Sequence, residues 1–100
     1  MDSGYMMTTA EIEKSLVDIL SKHDAARIAI FGSRAYGEGR PGSDLDVLVA
    51  FSRAKSLLSM VAIERELSEA LGMKVDLLTE AALSPHLRNS ILSGMKIIYQ

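Results

Sequence analysis

Two long stretches of the chain repeat apolar residues at the spacing of an amphipathic helix. The first stretch carries Ile12, Leu16, Ile19 and Leu20. Thr8 and Glu11 stand at the spacing of a capping box, so we predict a helix over residues 9–23. The apolar positions of the second stretch are Met60, Ile63, Leu67, Ala70 and Leu71. This spacing predicts a helix over residues 56–71. Gly72 follows the helix at the position where a left-handed residue commonly ends one.

Shorter apolar runs between and after these helices are typical of strands. Residues 27–31, 44–51 and 74–78 are rich in apolar side chains, many of them β-branched. Alternation along residues 44–51 predicts two faces. One face carries Leu45, Val47, Val49 and Phe51, and the other carries Asp44, Asp46, Leu48 and Ala50. Residues 96–99 are either a last strand or a contact surface.

Turn-forming residues separate these elements. Residues 33–37 suit the start of a short helix, whereas residues 37–43 hold three glycines and a proline, which predicts a loop. Ser84 followed by Pro85 predicts the start of another short helix, which Gly94 closes. Because helices alternate with strands, we predict an α/β fold in which one small sheet of three to four strands packs against helices. We expect one domain over residues 8–100 and a disordered lead-in over residues 1–7.

Charge and composition narrow the classes of function. The chain has 100 residues and a net charge of −2, without the basic excess of a protein that binds nucleic acid by itself. Since there is no cysteine, disulfides and zinc–thiolate sites are excluded. No apolar run reaches the length of a membrane span, and the first residues lack a signal-peptide pattern. We therefore expect a cytoplasmic protein without a membrane partner, and the charge disfavours a nucleic-acid substrate without excluding it.

Aspartates in two of the predicted strands are the first candidate functional residues. Asp44 and Asp46 lie two residues apart, so both side chains point to one side of their strand. Carboxylates held close together repel each other, and a hard divalent cation such as magnesium removes the repulsion. Asp76 interrupts the apolar run 74–78, where propensity disfavours aspartate, and a shared metal site would account for it. A solvated strand edge is the alternative explanation in each case.

Gly32 and Ser33 follow the first predicted strand directly. A glycine lets a phosphate approach the backbone, and amide groups at a helix N-terminus attract anions. The hydroxyl of Ser33 can add a hydrogen bond to phosphate. The alternative is that Gly32 simply ends a strand and Ser33 caps a helix.

The order of these residues forms a signature. Gly32-Ser33 is followed by a glycine-rich spacer, then by Ser43-Asp44-Leu45-Asp46 leading into an apolar strand. Val75-Asp76-Leu77 adds a later aspartate between apolar residues. The arrangement resembles the DNA polymerase beta–type nucleotidyltransferases, and within that superfamily it is most similar to the short group called minimal nucleotidyltransferases.

This resemblance implies a small mixed sheet of the polymerase-beta type and a magnesium-dependent reaction. Asp44, Asp46 and Asp76 would be the catalytic residues and would bind two magnesium ions. Asp76 would also help to deprotonate the attacking hydroxyl. The reaction would be in-line attack on the α-phosphorus of a nucleoside triphosphate, with pyrophosphate leaving.

The resemblance also implies which residues contact the nucleotide. These are Gly32, Ser33, Arg34 and Ser43. Arg34 and Arg40 offer guanidinium groups that match phosphate geometry, although an exposed, solvated arginine is the alternative for both. Many relatives carry arginine where this chain has Tyr36. Either a phosphate-binding charge is missing here, or Tyr36 stacks against a base.

Three functions are compatible with this resemblance. The first is an enzyme that transfers a nucleoside monophosphate, AMP from ATP, to a hydroxyl acceptor such as a tyrosine of a HEPN-type partner toxin. The second is an antitoxin that neutralises such a helical partner by binding alone, without turnover. The third is transfer to a small molecule, which is disfavoured because aminoglycoside nucleotidyltransferases are longer chains. Self-association of the chain is open.

Other motifs do not predict a site. The literal Gly-x-Gly-x-x-Gly at residues 37–42 leads into a strand rather than a helix, so it is not a dinucleotide fingerprint. His23 and His86 lack metal-ligand spacing. Met60 and Met73 suit packing. A solvated helix face is predicted for Glu64, Arg65, Glu66 and Glu69.

Overall fold

Helices and strands alternate as predicted in the part of the chain that the structure describes. The structure, a computed structural model, describes residues 7–32 and 44–100. The elements in these ranges are α1 (Thr9–Lys22), β1 (Ala25–Phe31), β2 (Leu45–Phe51), α2 (Leu57–Leu71), β3 (Val75–Thr79), a 3₁₀ turn (Glu80–Ala82), α3 (Pro85–Gly94) and β4 (Lys96–Tyr99). The predicted α/β fold class is confirmed.

The four strands form one mixed sheet in the order β3-β2-β1-β4. β1 pairs antiparallel with both β2 and β4, whereas β2 and β3 are parallel. Parallel neighbours need a crossover connection, and α2 supplies it. Residues 96–99 are therefore a strand, and their Ile97 and Tyr99 side chains are exposed at the edge.

The main core lies between one face of this sheet and the helices α1 and α2. The sheet contributes Ile28, Ile30, Leu45, Val47, Val49, Val75 and Leu77. The helices contribute Ile12, Leu16, Leu20, Ile63, Leu67 and Leu71. Each such burial stabilises the fold by roughly 1.5–3 kcal/mol. Because side chains alternate along a strand, the predicted face of Asp46 and Leu48 points away from this core.

Local capping explains where the helices begin and end. The Thr8 hydroxyl accepts a hydrogen bond from the Glu11 amide at 3.1 Å, and the Glu11 carboxylate accepts one from the Thr8 amide at 2.8 Å, which confirms the capping box. The Ser56 and Ser84 hydroxyls cap α2 and α3 by accepting hydrogen bonds from the Ser59 and Leu87 amides. Gly72 ends α2 with φ +68°, as predicted. Ala70, assigned to the apolar stripe of α2, is exposed.

Several strand boundaries differ from the predicted ones. β1 begins at Ala25 rather than at residue 27, because Asp24 turns the chain with φ +70° and its carbonyl accepts a hydrogen bond from the Ser52 amide at 2.8 Å. This contact brings Ala25 into register with Phe51. β3 begins and ends one residue later than predicted, and the 3₁₀ turn after it was not predicted.

The outer edge of β3 is covered by side chains of α2. The Val75 amide donates to the Ser68 hydroxyl at 3.0 Å, and the Leu77 amide donates to the Glu64 carboxylate at 2.8 Å. The prediction that Glu64 belongs to a solvated helix face is wrong, since its carboxylate bonds the backbone of the neighbouring strand. Edge strands with free amides invite pairing with another chain, and these two contacts block it.

Some predictions fall outside the described residues. They concern Ser33, Arg34, Tyr36, Arg40 and Ser43, the helix start at residues 33–37, the loop at residues 37–43 and residues 1–6 of the lead-in. Met7, the last residue of the predicted lead-in, packs against the core. In the described ranges no helix is long and apolar enough to cross a membrane.

Candidate active site

Two of the three predicted carboxylates lie side by side on the face of the sheet that points away from α1 and α2. Asp46 in β2 and Asp76 in β3 are direct partners in the parallel register. The crossover through α2 brings them together despite their separation in sequence. Asp44 precedes β2 by one residue and is exposed. The period-two pattern predicted a shared face for Asp44 and Asp46, and the register of the sheet adds Asp76 of a second strand beside Asp46.

Gly32 lies against this carboxylate pair. Its φ is +77°, a conformation that residues with a side chain rarely adopt. A Cβ atom at this position would lie 2.6 Å from Oδ2 of Asp46. The glycine therefore does more than end β1, because its missing side chain leaves room for the carboxylate beside the backbone.

The electrostatics of the site centre on Asp46. Burial raises the pKa of its carboxyl above the ordinary value of 3.8, and the neighbouring carboxylates of Asp76 and Asp44 raise this pKa further. A hydrogen bond to Asp76 also favours the protonated form of Asp46. Among the described residues, the ion pair of Asp76 with Lys74 gives little relief, since Lys74 Nζ lies 3.9 Å from Oδ1 of Asp76 and both side chains are well exposed. Asp46 is thus a partly buried carboxylate with like charges for neighbours.

This chemistry suits a hard divalent cation. Magnesium in proteins is commonly held by one or two carboxylates, with waters and substrate phosphates completing its shell. The pair of Asp46 and Asp76 offers such a set of oxygens. Within residues 7–32 and 44–100, no three His, Cys, Asp or Glu side chains are arranged to hold a metal together. The three-carboxylate ligand set that includes Asp44 therefore stays a prediction.

A cavity of about 360 Å³ opens beside Gly32. Its walls come from the end of β1 and from the C-terminal half of α3: Phe31, Gly32, Ser90, Ile91 and Gly94. No motif in the sequence of α3 predicted that this helix lies near the site. Capping signals predicted the helix, but they do not indicate which strand it faces.

An ion pair spans the same face of the sheet at the other end of β2. Arg27 Nε donates to Glu80 at 2.6 Å, and a second guanidinium nitrogen bonds the other carboxylate oxygen. Arg27 is the register partner of Ala50, so the pair reaches across β2 and ties the 3₁₀ turn after β3 to β1. Neither residue stood out in the sequence, because a lone arginine and glutamate are ordinary surface residues.

The two histidines remain outside the site. His23 is the C-cap of α1, and its Nε2 lies 2.9 Å from Oε1 of Glu66. His86 is exposed in the first turn of α3. Met60 and Met73 pack against the core as predicted.

Comparison with known proteins identifies the class that this fold and site define. Residues 11–98 match the family of the nucleotidyltransferase domain. A candidate protein adenylyltransferase of Methanocaldococcus jannaschii is 44% identical over 87 residues, which cover 87% of this chain and 94% of that protein. The chain belongs to the nucleotidyltransferase-domain family, and its relatives include protein adenylyltransferases.

Solved structures place the chain among the minimal nucleotidyltransferases. The structure of a candidate minimal nucleotidyltransferase matches with a TM-score of 0.79 at 35% identity, covering 94% of this chain and 97% of that one. An antitoxin of the same fold, in complex with the tri-AMPylated HEPN toxin of Shewanella oneidensis, matches with a TM-score of 0.77. That match has 19% identity and covers 92% of this chain and 72% of that one.

Proposed function

We propose that this nucleotidyltransferase moves AMP from ATP, with magnesium, to a hydroxyl group of a protein, with release of pyrophosphate. The acceptor would be a tyrosine of a HEPN-type partner, which the modification neutralises. The observation that carries the proposal is the direct pairing of Asp46 and Asp76 beside Gly32. The family of protein adenylyltransferases and the AMPylated toxin in the related complex support the choice of nucleotide and acceptor.

The three aspartates would have different roles in the reaction. Asp46 and Asp76 would hold the metal between β2 and β3, with Asp44 as the third carboxylate. Magnesium would supply positive charge at the α-phosphate and at the attacking oxygen. With 42% of its side chain exposed, Asp76 would face the acceptor hydroxyl and take up its proton. Asp46 would serve as a metal ligand.

The nucleotide would enter beside Gly32. The glycine backbone would lie along the triphosphate, together with Ser33, Arg34 and Ser43. The cavity between Phe31 and Ile91 offers an apolar surface of a size that suits a nucleobase. The reaction would take place in the cytoplasm, where ATP and a partner toxin are both available.

A transfer assay tests this function. The chain is incubated with magnesium, α-labelled ATP and a purified HEPN-type protein from the same organism, and label on that protein is measured. We expect Asp46→Asn to lower transfer by at least 100-fold, because it removes a metal ligand from the reacting centre. Asp18→Asn is the matched control, since it removes an exposed carboxylate of α1 that pairs only with Lys14 among the interactions described.

The outcomes separate catalysis from binding. Equal label transfer by the parent chain and Asp46→Asn would rule out the proposed site. If Asp46→Asn still neutralises the partner in cells without transferring label, the chain acts as an antitoxin by complex formation alone.

A further inference from the structure

A groove runs between the N-terminal half of α2 and the edge strand β3. Its volume is about 450 Å³, and its walls include Leu57 and Val61 on the helix and Leu78 on the strand. Leu57 and Val61 lie one helical turn apart and are 79% and 55% exposed, which is unusual for apolar side chains of this size. Contiguous exposed apolar surface commonly marks a site of protein interaction.

The charged residues that line the groove already have partners. Lys55 Nζ lies 3.0 Å from Oδ2 of Asp24, and the Glu64 carboxylate accepts the hydrogen bond from the Leu77 amide. Neither charge therefore needs a counter-ion from outside. The chemistry that the groove offers to a partner is mainly apolar.

The form of the partner follows from the backbone of β3. An extended segment that adds a strand to β3 would pair with the outward amides of this strand. The amides of Val75 and Leu77 point outward, and the side chains of Ser68 and Glu64 occupy them. A helix needs no backbone pairing, since it binds by placing apolar side chains from successive turns into a groove.

The groove also adjoins the candidate active site. Leu78 follows Asp76 by two residues, so both side chains project from the same face of β3, roughly 7 Å apart along the strand. A protein seated on Leu57, Val61 and Leu78 would hold its neighbouring side chains within reach of Asp76. We infer that this groove docks an amphipathic helix of the protein acceptor and thereby presents the acceptor hydroxyl to Asp76. The inference rests on the proposed transfer to a protein.

Two adjacent leucines give a matched pair of variants. Leu57 lines the groove, whereas Leu58 does not, although it is 82% exposed. Both lie in the first turn of α2, which contains no acidic residue, so aspartate at either position suits the helix dipole and should not weaken folding. We would measure the Kd of a purified HEPN-type protein from the same organism for the parent, Leu57→Asp and Leu58→Asp by calorimetry, with thermal unfolding as a check on folding.

We expect Leu57→Asp to raise this Kd by at least 10-fold and Leu58→Asp to change it by less than threefold, with ATP binding unaltered in both. An unchanged Kd in Leu57→Asp, an equal loss in both variants, or no binding by the parent chain would overturn the docking surface. The proposed function is judged separately by label transfer. A parent chain that binds the partner but transfers no label would refute the proposed function. The Kd values of Leu57→Asp and Leu58→Asp would still show whether the groove is the docking surface.

Discussion

Asp46 carries an electrostatic cost in the protein without a bound cation. Its carboxyl is partly buried and faces Asp76 and Asp44, and all three conditions disfavour its charged form. A pKa that is raised by folding means that the native state keeps a proton which the unfolded chain releases. Stability is therefore lost as the pH rises above the ordinary value of 3.8.

At the residue scale, we predict that Asp46→Asn stabilises the metal-free protein at neutral pH. Asparagine removes the buried charge and its repulsion, so the midpoint of thermal unfolding in EDTA should rise. The gain should shrink as the pH falls through the raised pKa and should vanish below 3.8, where the aspartate is protonated in both states. Unfolding curves from pH 3 to pH 8 measure this difference. A gain that is independent of pH would contradict the electrostatic explanation.

Sequence alone could indicate the members of the site but not all of their contacts. Asp44, Asp46 and Asp76 stand out because aspartate is rare in apolar strands. The pairing of Asp46 with Asp76 depends on a strand order that the alternation of helices and strands does not fix. The contact of Gly32 with Asp46 is a further example, since a glycine after a strand is equally expected at a simple turn.

At the scale of the element, β3 shows how an edge strand is kept from associating. Glu64 and Ser68 lie one turn apart on α2, and each accepts a hydrogen bond from an outward amide of β3. These two hydrogen bonds explain why α2 carries the polar residues Glu64 and Ser68 on the side that faces the edge of the sheet. It also makes β3 a poor template for strand addition by a second molecule.

We predict that Glu64→Ala lowers the free energy of unfolding by about 1 kcal/mol, the usual contribution of one such hydrogen bond. The freed Leu77 amide should also promote association, seen as light scattering that rises with protein concentration. Glu69→Ala is the control, because Glu69 is an exposed residue of α2 that pairs with Arg65. Equal unfolding free energies and equal light scattering in the two variants would show that the Glu64 contact neither stabilises the fold nor protects the edge of β3.

Periodicity and capping residues predicted the elements better than their ends. Both long helices follow from apolar spacing. The hydroxyl cap at Thr8 was predicted, whereas Ser56 was assigned to the helix that it caps. The start of β1 could not be predicted, because it depends on the tertiary hydrogen bond between Ser52 and Asp24. The role of Glu64 could not be predicted either, because its hydrogen-bond partner, the Leu77 amide, lies on another element.

At the scale of the whole molecule, the candidate site lies across the junction of two strands that are far apart in the sequence. Asp46 is placed by the antiparallel pair of β1 and β2, and Asp76 arrives only after the α2 crossover. A ligand that bridges the two carboxylates would therefore bind the folded chain and not the unfolded one. Such a ligand raises stability by mass action.

We predict that ATP with magnesium raises the midpoint of thermal unfolding. At a ligand concentration of 100 times Kd, the gain is about 2.7 kcal/mol. For a domain of this size, that gain corresponds to a rise on the order of 10 °C or more. Scanning fluorimetry measures the shift with magnesium, with EDTA and in an Asp46→Asn/Asp76→Asn variant. A shift that persists in EDTA and in the variant would place nucleotide binding elsewhere.

The close approach of Gly32 to Asp46 also constrains how the lineage of this protein can change. A side chain at position 32 would meet the end of the Asp46 side chain, so the carboxylate would have to shift. Loss of the carboxylate at position 46 would remove this contact but not the strain of a side chain at φ +77°. In homologous sequences, replacement of this glycine should therefore be more frequent where that aspartate has been lost, in proteins that keep the fold without the reaction.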